Sequence, residues 1–320
     1  MRLASPSFGL VAVLALASAF APGARAELAG ELGRPVVATP DAVPVAPRTA
    51  SRLVCVVQGD LDASFEDDRG SIARARTWNS FEIDHALSAT WNVRLEAEVE
   101  VDVYDLRDSQ RILAGPGRLL DVGIRTHLAP GVDWRLARDW KIGGDVAFET
   151  LSVPGASVAD SYTIGESVYV WHRFSPSIAL RFGVEVLANL DDPPTIIPFV
   201  APDDVDATQP SPWRFEGRGA GGRLGYAFTP KVTAGIAGAY DRRDWRLAPD
   251  DREPDGIARD IRITAGLFVD VAPRDGMRFG LDVGMNVWHE FEVADRHGDR
   301  VTRLDASPSA YVALSLAWRF

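Results

Sequence analysis

The sequence predicts an all-β protein, a transmembrane antiparallel up-and-down β-barrel of about 12 strands, with about 10–14 compatible with the pattern. Three observations predict it. Apolar and polar residues alternate with period two through most of the chain. Short turn signals take turns with longer polar loops, as hairpins crossing a bilayer require. The chain closes on an alternating segment that ends in Phe320.

The N-terminus has the organisation of a secretory signal over residues 1–26. Arg2 supplies the positive start, and Phe8 to Ala21 is an apolar run short of a bilayer span. Pro22 and Gly23 break it before Ala24-Arg25-Ala26, a small-x-small cleavage site. Losing Arg2 and Arg25 would take the formal charge from -11 to -13. Residues 27–50 are rich in Pro and Ala without a period, as expected of a flexible extended leader. The barrel is assigned to residues 51–320. The lone cysteine, Cys55, excludes an internal disulfide and reads as a small strand residue.

A first strand is expected near 51–65. Five turn signals then follow, at residues 88–92, 137–140, 175–177, 229–231 and 272–276, each between two alternating segments. Val93, Leu95, Ala97, Val99, Val101 and Val103 share one face of a strand, and Arg94, Glu96, Glu98, Glu100 and Asp102 share the other. Ile178, Leu180, Phe182, Val184 and Val186 alternate with Arg181, Gly183 and Glu185. Ile261 to Val271 and Phe279 to Val287 follow the same rule. Leu120 to Leu136 keeps one parity through Pro130, where a bulge or local break is expected. Trp213 to Phe228 changes parity inside Gly217–Gly222, which reads as a bulge or kink within one strand.

Longer connections fall at 66–73, 105–117, 152–161, 190–212, 247–257 and 294–305. With a closing strand at 306–320, an even strand count brings both ends of the barrel to one rim, the periplasmic one in an outer membrane. Trp91, Trp134, Trp140, Trp171 and Trp318 fall near the short turns, and Trp78, Trp213, Trp245 and Trp288 near the long loops. None falls clearly in mid-strand, so two aromatic girdles are expected.

The polar faces decide what lies inside. Glu96, Glu98, Glu100 and Asp102 are consecutive on one side of a strand, and unpaired carboxylates are costly to desolvate. They must meet water or arginines. A soluble barrel would turn them outward and the valines inward. Against that, Gly, Ala and Ser crowd the polar faces, and the apolar faces are long and nearly free of charge. The lumen-lining set is therefore Arg94, Glu96, Glu98, Glu100, Asp102, Arg125, Arg181, Glu185, Arg223, Arg262, Arg278 and Asp282. Asp145, Glu149, Glu216, Asp270 and Glu290 are expected on the same side. Such a lumen is either a charged permeation path or a cross-braced salt-bridge filling.

Composition excludes several classes. At 46% hydrophobic, 25% charged and a net charge of -11, the chain lacks the basic footprint of a nucleic-acid binder. The five histidines, His85, His127, His172, His289 and His297, show no metal-ligand spacing, so neither metal nor cofactor is expected. No G-x-S-x-G elbow occurs, and Gly217–Gly222 lacks a P-loop lysine. A Ser–His site on neighbouring strands, with His172 or His289, is the remaining route to an enzyme, and no enzymatic role is expected. Segment 190–212, with Asp191, Asp192, Asp203, Asp204 and Asp206, has no ordered cation-ligand spacing and is open to three readings: a constriction folded into the barrel, a cap on the rim, or a segment lying on the membrane.

The last ten residues place Val312, Leu314, Leu316, Trp318 and Phe320 on one face. They resemble the closing strand of bacterial outer-membrane barrels, which implies recognition by the barrel-assembly machinery. Asn189-Leu190-Asp191-Asp192-Pro193, Asp244-Trp245-Arg246-Leu247-Ala248-Pro249-Asp250 and the run from Leu304 to Phe320 resemble an uncharacterised family of such barrels, known only as a domain of unknown function. That resemblance implies the cell outer membrane of a Gram-negative-type envelope and no defined activity. A pore for small solutes, a plugged structural or surface-interaction barrel, and a lipid-modifying enzyme remain as functional expectations, in that order.

Overall fold

The computed structural model describes residues 49–66, 69–113, 119–175, 178–187, 195–203, 212–218 and 221–320. The signal expected at 1–26, and all but Thr49 and Ala50 of the leader, lie outside the described residues.

The described residues form fifteen strands: β1 (Thr49–Ser64), β2 (Ser71–Ala86), β3 (Trp91–Arg107), β4 (Val122–Ala137), β5 (Trp140–Ser152), β6 (Tyr162–Ser175), β7 (Ile178–Leu187), β8 (Thr195–Asp203), β9 (Trp213–Arg218), β10 (Gly221–Thr229), β11 (Val232–Arg246), β12 (Ile257–Arg274), β13 (Met277–Ala294), β14 (Arg300–Ala306) and β15 (Ser309–Arg319). The described helix is limited to Ser109–Ile112 and a 3-10 turn at Val158–Asp160. Neighbours in sequence pair antiparallel except β8 with β9 and β14 with β15, and β1 closes on β15. There the Ser51 and Phe320 backbones exchange two hydrogen bonds of 2.9 Å.

Both β14 and β15 pair with β13, at its two ends, so the ring has fourteen positions, the top of the expected span. Its end strands, β8 and β9, come within 8 Å of each other. Among the described residues no ladder joins them. Turns at 87–90, 138–139, 230–231 and 275–276 mark one rim, the turn rim. The opposite loop rim carries the longer connections.

The outward face is apolar and exposed. Val168 is 65% exposed, Leu267 60%, Leu314 60% and Phe228 65%. Leu95, Val99 and Val103 face out on β3, while Glu98, Glu100 and Asp102 on the alternate positions are buried. A water-soluble monomer does not present a continuous apolar face around a whole sheet. A bilayer does accommodate one, because every strand's polar backbone pairs with its neighbours. This is the architecture of a transmembrane antiparallel up-and-down β-barrel.

Several local expectations are corrected. Segment 190–212 contains β8, whose Pro198 and Pro202 are tolerated because its far edge carries no ladder among the described residues. Residues 213–228 are two strands rather than one kinked strand: Gly221 pairs with Arg218, making a hairpin. The extra crossings put Trp213 at the turn rim, beside Tyr226, not on the long-loop side. The loop at 294–305 is shortened by β14. Pro130 faces outward, and β4 passes through it without a change of register on either side. Trp78 sits in mid-strand and faces inward, and Trp171 and Trp245 are buried inside, so none of these belongs to a girdle. Trp91 and Trp134 do stack on the outward face near the turn rim, with ring centroids 5.6 Å apart.

One departure divides the interior. β10 begins at Gly221, opposite Ala239, while β11 continues seven residues to Arg246. Its end crosses to β5, where Arg246 pairs with Ser152 in parallel. The Val153 N–H donates to the Arg246 carbonyl at 3.0 Å, and the Arg246 guanidinium donates to the Asp160 carbonyl at 3.0 Å. Towards the loop rim the wall is thus closed a second time, through β5 and β11. The smaller enclosure holds an apolar core that includes Phe65, Ile72, Tyr104, Leu151, Trp245, Leu247, Phe291 and Val293.

Candidate functional site

The concave face is the chemically rich surface, and it has two parts. In the first, β1–β3 pack directly against β11–β13. Asp60 on β1 accepts from Arg74 Nε at 2.7 Å and from Arg262 Nη1 at 2.6 Å. Asp260 accepts from Arg262 Nε at 2.8 Å and from the Tyr104 hydroxyl at 2.9 Å, with His289 Nε2 at 3.0 Å. Asp102 holds Arg76 through two bonds of 2.8 and 3.2 Å. Arg76 reaches across to Asp241 at 2.8 Å, and Arg243 returns across to Glu100 at 2.9 and 3.1 Å. Contacts between β2 or β3 and β11 or β12 are possible only through the interior of the ring.

The burial is nearly complete: Asp102 is 0% exposed, Asp260 and Arg262 1% each. Bidentate guanidinium–carboxylate pairing is what makes such charges tolerable away from water. Above this layer Trp245 donates from Nε1 to the Tyr104 hydroxyl at 3.0 Å, tying the charges to the apolar core. The ring of Trp245 lies on Gly123, where a Cβ would approach to 2.7 Å.

The second part is bounded by β5–β11. Its inner face carries small residues: Gly143, Ala147, Gly165, Ser167, Gly183, Ala237 and Ala239. Ser167, Gly183, Ala237 and Ala239 keep partial exposure, unlike the fully buried charges opposite. The Tyr169 ring fills the space over Gly143 and the Phe199 ring that over Gly183, where a Cβ would meet each at 2.6 Å, so the open stretch of the wall is the partly exposed run of Ala147, Ser167, Ala237 and Ala239.

The sequence-derived residues fall on this concave face in three groups. Glu98, Glu100, Asp102 and Arg262 belong to the packed layer. Arg125 borders it, bonding Glu98 at 3.0 Å and Glu149 at 2.6 Å. Arg94, Glu96, Arg181 and Glu185 are half-buried on β3 and β7; Arg94 bonds Asp145 at 3.0 Å, and Arg181 lies 4.6 Å from the Tyr169 ring centroid. Near the turn rim, Arg223 bonds Asp282 at 3.0 Å and Asp270 at 3.3 Å, and Arg278 bonds Glu216 at 2.8 Å.

Glu290 is the exception, and it faces outward. The register shifts between Ile263 and Thr264, with Val287 as the extra residue on β13, so the parity of β13 reverses beyond it. Glu290 pairs with Arg303 at 2.7 Å, and His289 takes the inward position. His172 lies outward near the turn rim, stacked on Trp140 at 3.9 Å and edge-on to Phe174 at 4.4 Å. Val312, Leu314, Trp318 and Phe320 are exposed on the outward face, with Leu316 half-buried among them.

Sequence reasoning missed the partners that make the layer: Asp60, Arg74, Arg76, Asp241, Arg243 and Asp260. The alternation of Arg74, Arg76 and Ser80 along β2 is a period-two signal that places them together. Nothing local in the sequence pairs them with β11 or β12. Among the described residues no group of His, Cys, Asp and Glu is arranged to hold a metal ion.

No protein-family model matches the chain, and no curated protein matches it. Solved structures do. An outer-membrane channel from Pseudomonas putida F1 is 11% identical, covers 89% of this chain and 100% of its own, and gives a TM-score of 0.43. The P. putida toluene transporter TodX is 9% identical over 85% of this chain and 89% of its own, with a TM-score of 0.39. LpxR from Salmonella typhimurium is 10% identical over 83% of this chain and 99% of its own, with a TM-score of 0.34. These likenesses extend to no residue and no activity.

Proposed function

We propose that the chain is an integral outer-membrane β-barrel that passes small polar solutes along an off-centre path bounded by β5–β11, beside a half of its interior that is plugged. The observation that carries this is the contrast across the concave face. Small, partly exposed residues line β5–β7 and β11, whereas Asp102, Asp260 and Arg262 are sealed between β1–β3 and β11–β13.

A fixed plug of this kind narrows the conducting section without closing the ring. It also braces a wide sheet across its diameter, which a barrel without internal contacts lacks. The path has charges of both signs, Arg94 with Asp145 and Arg125 with Glu149, so it favours small hydrated solutes over long apolar ones. No cofactor or catalytic group is needed for such a role. The lipid bilayer of the outer membrane is the solvent of the outward face. Val312, Leu314, Leu316, Trp318 and Phe320 would be presented to the barrel-assembly machinery before β1 closes on β15.

The test is ion conductance of the refolded protein in a planar bilayer. Discrete, ohmic steps are expected. A silent membrane would overturn the path and leave the buried layer as the sign of a plugged structural barrel.

A further inference from the structure

One carboxylate on the inner wall of β5–β7 stands without a counter-charge. Asp145, Ser167 and Glu185 are directly opposite one another on these three strands. The next row towards the loop rim is Ala147, Gly165 and Leu187. Ala147 and Ser167 are small and partly exposed, and Glu185 is half-buried beside them. Glu185 therefore borders the open stretch of the wall and not the sealed layer.

The other charges at this level are paired. Arg94 donates to Asp145 at 3.0 Å. Arg125 donates to Glu149 at 2.6 Å, and His127 Nδ1 lies 3.2 Å from the same carboxylate oxygen. Arg181 is on the strand of Glu185 but nearer the turn rim, where its guanidinium lies 4.6 Å from the Tyr169 ring centroid. Across the interior, Arg223 is held by Asp282 and Asp270, and Arg243 by Glu100 and Asp241.

Among the described residues Glu185 forms no ion pair and no side-chain hydrogen bond. The charged or titratable groups close enough to act on it are two acids, Asp145 and Glu149, and His127, which Glu149 already holds. Among the described side chains no arginine or lysine belongs to that set. On β11 the open stretch is lined by Ala237 and Ala239, which carry no charge. A carboxylate so placed does not brace the wall. Its field falls on the water of the path.

We infer that Glu185 determines the charge specificity of the open stretch, its unpaired carboxylate favouring small cationic solutes over anionic ones. The inference rests on the path proposed above and names the class of solute that it passes. The discrimination comes from one fixed charge: a cation moving past Ser167 is attracted by Glu185, and an anion is repelled. A unit charge at about 4 Å biases the local concentration of either sign about fivefold in bulk water. The bias grows where the wall lowers the local dielectric and fades as salt screens it. Asp145 and Glu149 keep their own arginines when Glu185 is neutralised, so the wall keeps its shape.

The experiment reads this field with a thiol and needs no current. In a Cys55→Ser background, Ser167→Cys places a thiol opposite Glu185. Ala89→Cys places one on an exposed turn with no charged residue from Ala86 to Val93. The refolded full chains, in non-ionic detergent, react with a cationic or an anionic methanethiosulfonate reagent, and the two rates are taken as a ratio. The thiolate fraction is common to both rates and cancels. At about 0.1 M ionic strength the cationic-to-anionic ratio at position 167 should exceed that at position 89 about fivefold or more. Glu185→Gln should lower it to the value at position 89, and Glu185→Lys should invert the preference. Raising the salt to about 1 M, where the Debye length is about 3 Å, should shrink the excess. Heat-modifiable gel mobility establishes that each variant is folded. In a planar bilayer, the reversal potential in a KCl gradient should favour potassium and lose that preference in Glu185→Gln. A silent membrane with the thiol ratio intact would overturn conduction and leave the field of Glu185 standing. An unreactive thiol at position 167, equal ratios at 167 and 89, or a ratio that folded Glu185→Gln leaves unchanged would overturn the inference, whether or not the barrel conducts.

Discussion

Replacing Asp260 with Ala perturbs the buried layer at its centre. Asp260 lies within hydrogen-bond distance of Arg262 Nε at 2.8 Å, Tyr104 Oη at 2.9 Å, His289 Nε2 at 3.0 Å and Arg74 Nη1 at 3.5 Å. It is 1% exposed, so water cannot take its place without opening the sheet. Arg262 would keep Asp60 at 2.6 Å but lose its second carboxylate. Breaking a buried pair by removing one partner costs about 3–5 kcal/mol, since a charge is left uncompensated. That is roughly two to three and a half powers of ten in the folding equilibrium. The reference is Asp62→Ala, whose partner Arg107 at 2.9 Å is 60% exposed in its side chain. An exposed pair is worth about 0–1 kcal/mol. Urea unfolding of the refolded protein, followed by tryptophan fluorescence and gel mobility, measures both. If the two variants differ by less than about 1 kcal/mol, the layer does not pack as described and the reasoning fails.

Two further outcomes follow from contacts on either side of the sheet. Gly123→Val drives a side chain into the Trp245 ring, which a Cβ alone would meet at 2.7 Å, and should destabilise by about 1–3 kcal/mol in the same urea assay. An unchanged midpoint would mean that Trp245 does not rest there. Glu166 faces outward on β6 between Ile164 and Val168, opposite Val146 and Val186, so Glu166→Leu should stabilise the protein in a bilayer by about 1 kcal/mol. A loss of stability would show that this carboxylate has a partner on the outer surface.

Much of the strand pattern was legible because alternation is local. On β3 the valines and carboxylates sort themselves by parity alone, and the structure keeps that sorting from Leu95 to Val103. The closing strand was legible for the same reason. What escaped depended on distance or on single residues. β8 was hidden by Pro198 and Pro202, which argue against a strand unless its edge is free of a ladder. The β9–β10 hairpin reads as a kink because only two residues separate the paired Arg218 and Gly221 in the sequence. The extra residue on β13 reversed the faces of Glu290 and His289, and a strict period carried past that point assigns both to the wrong side. The pairing of Glu100 with Arg243 spans 143 residues, and no local rule reaches across a ring. The sequence names Glu98, Glu100, Asp102 and Arg262 of the buried layer but not Asp60, Arg74, Arg76, Asp241, Arg243 or Asp260, and only the closure of β11 onto β5 shows that they meet.

The division of the interior is tested most directly by cysteine block of conductance. Cys55, the single cysteine, is first replaced by Ser. Ala237→Cys then places a thiol on the inner face of β11, in the partly exposed half, and Ser80→Cys places one on β2, in the sealed half. A charged methanethiosulfonate reagent added to channels of each variant in a planar bilayer should lower the current through Ala237→Cys and leave Ser80→Cys unchanged. Block at Ser80→Cys, or none at Ala237→Cys, would contradict the account.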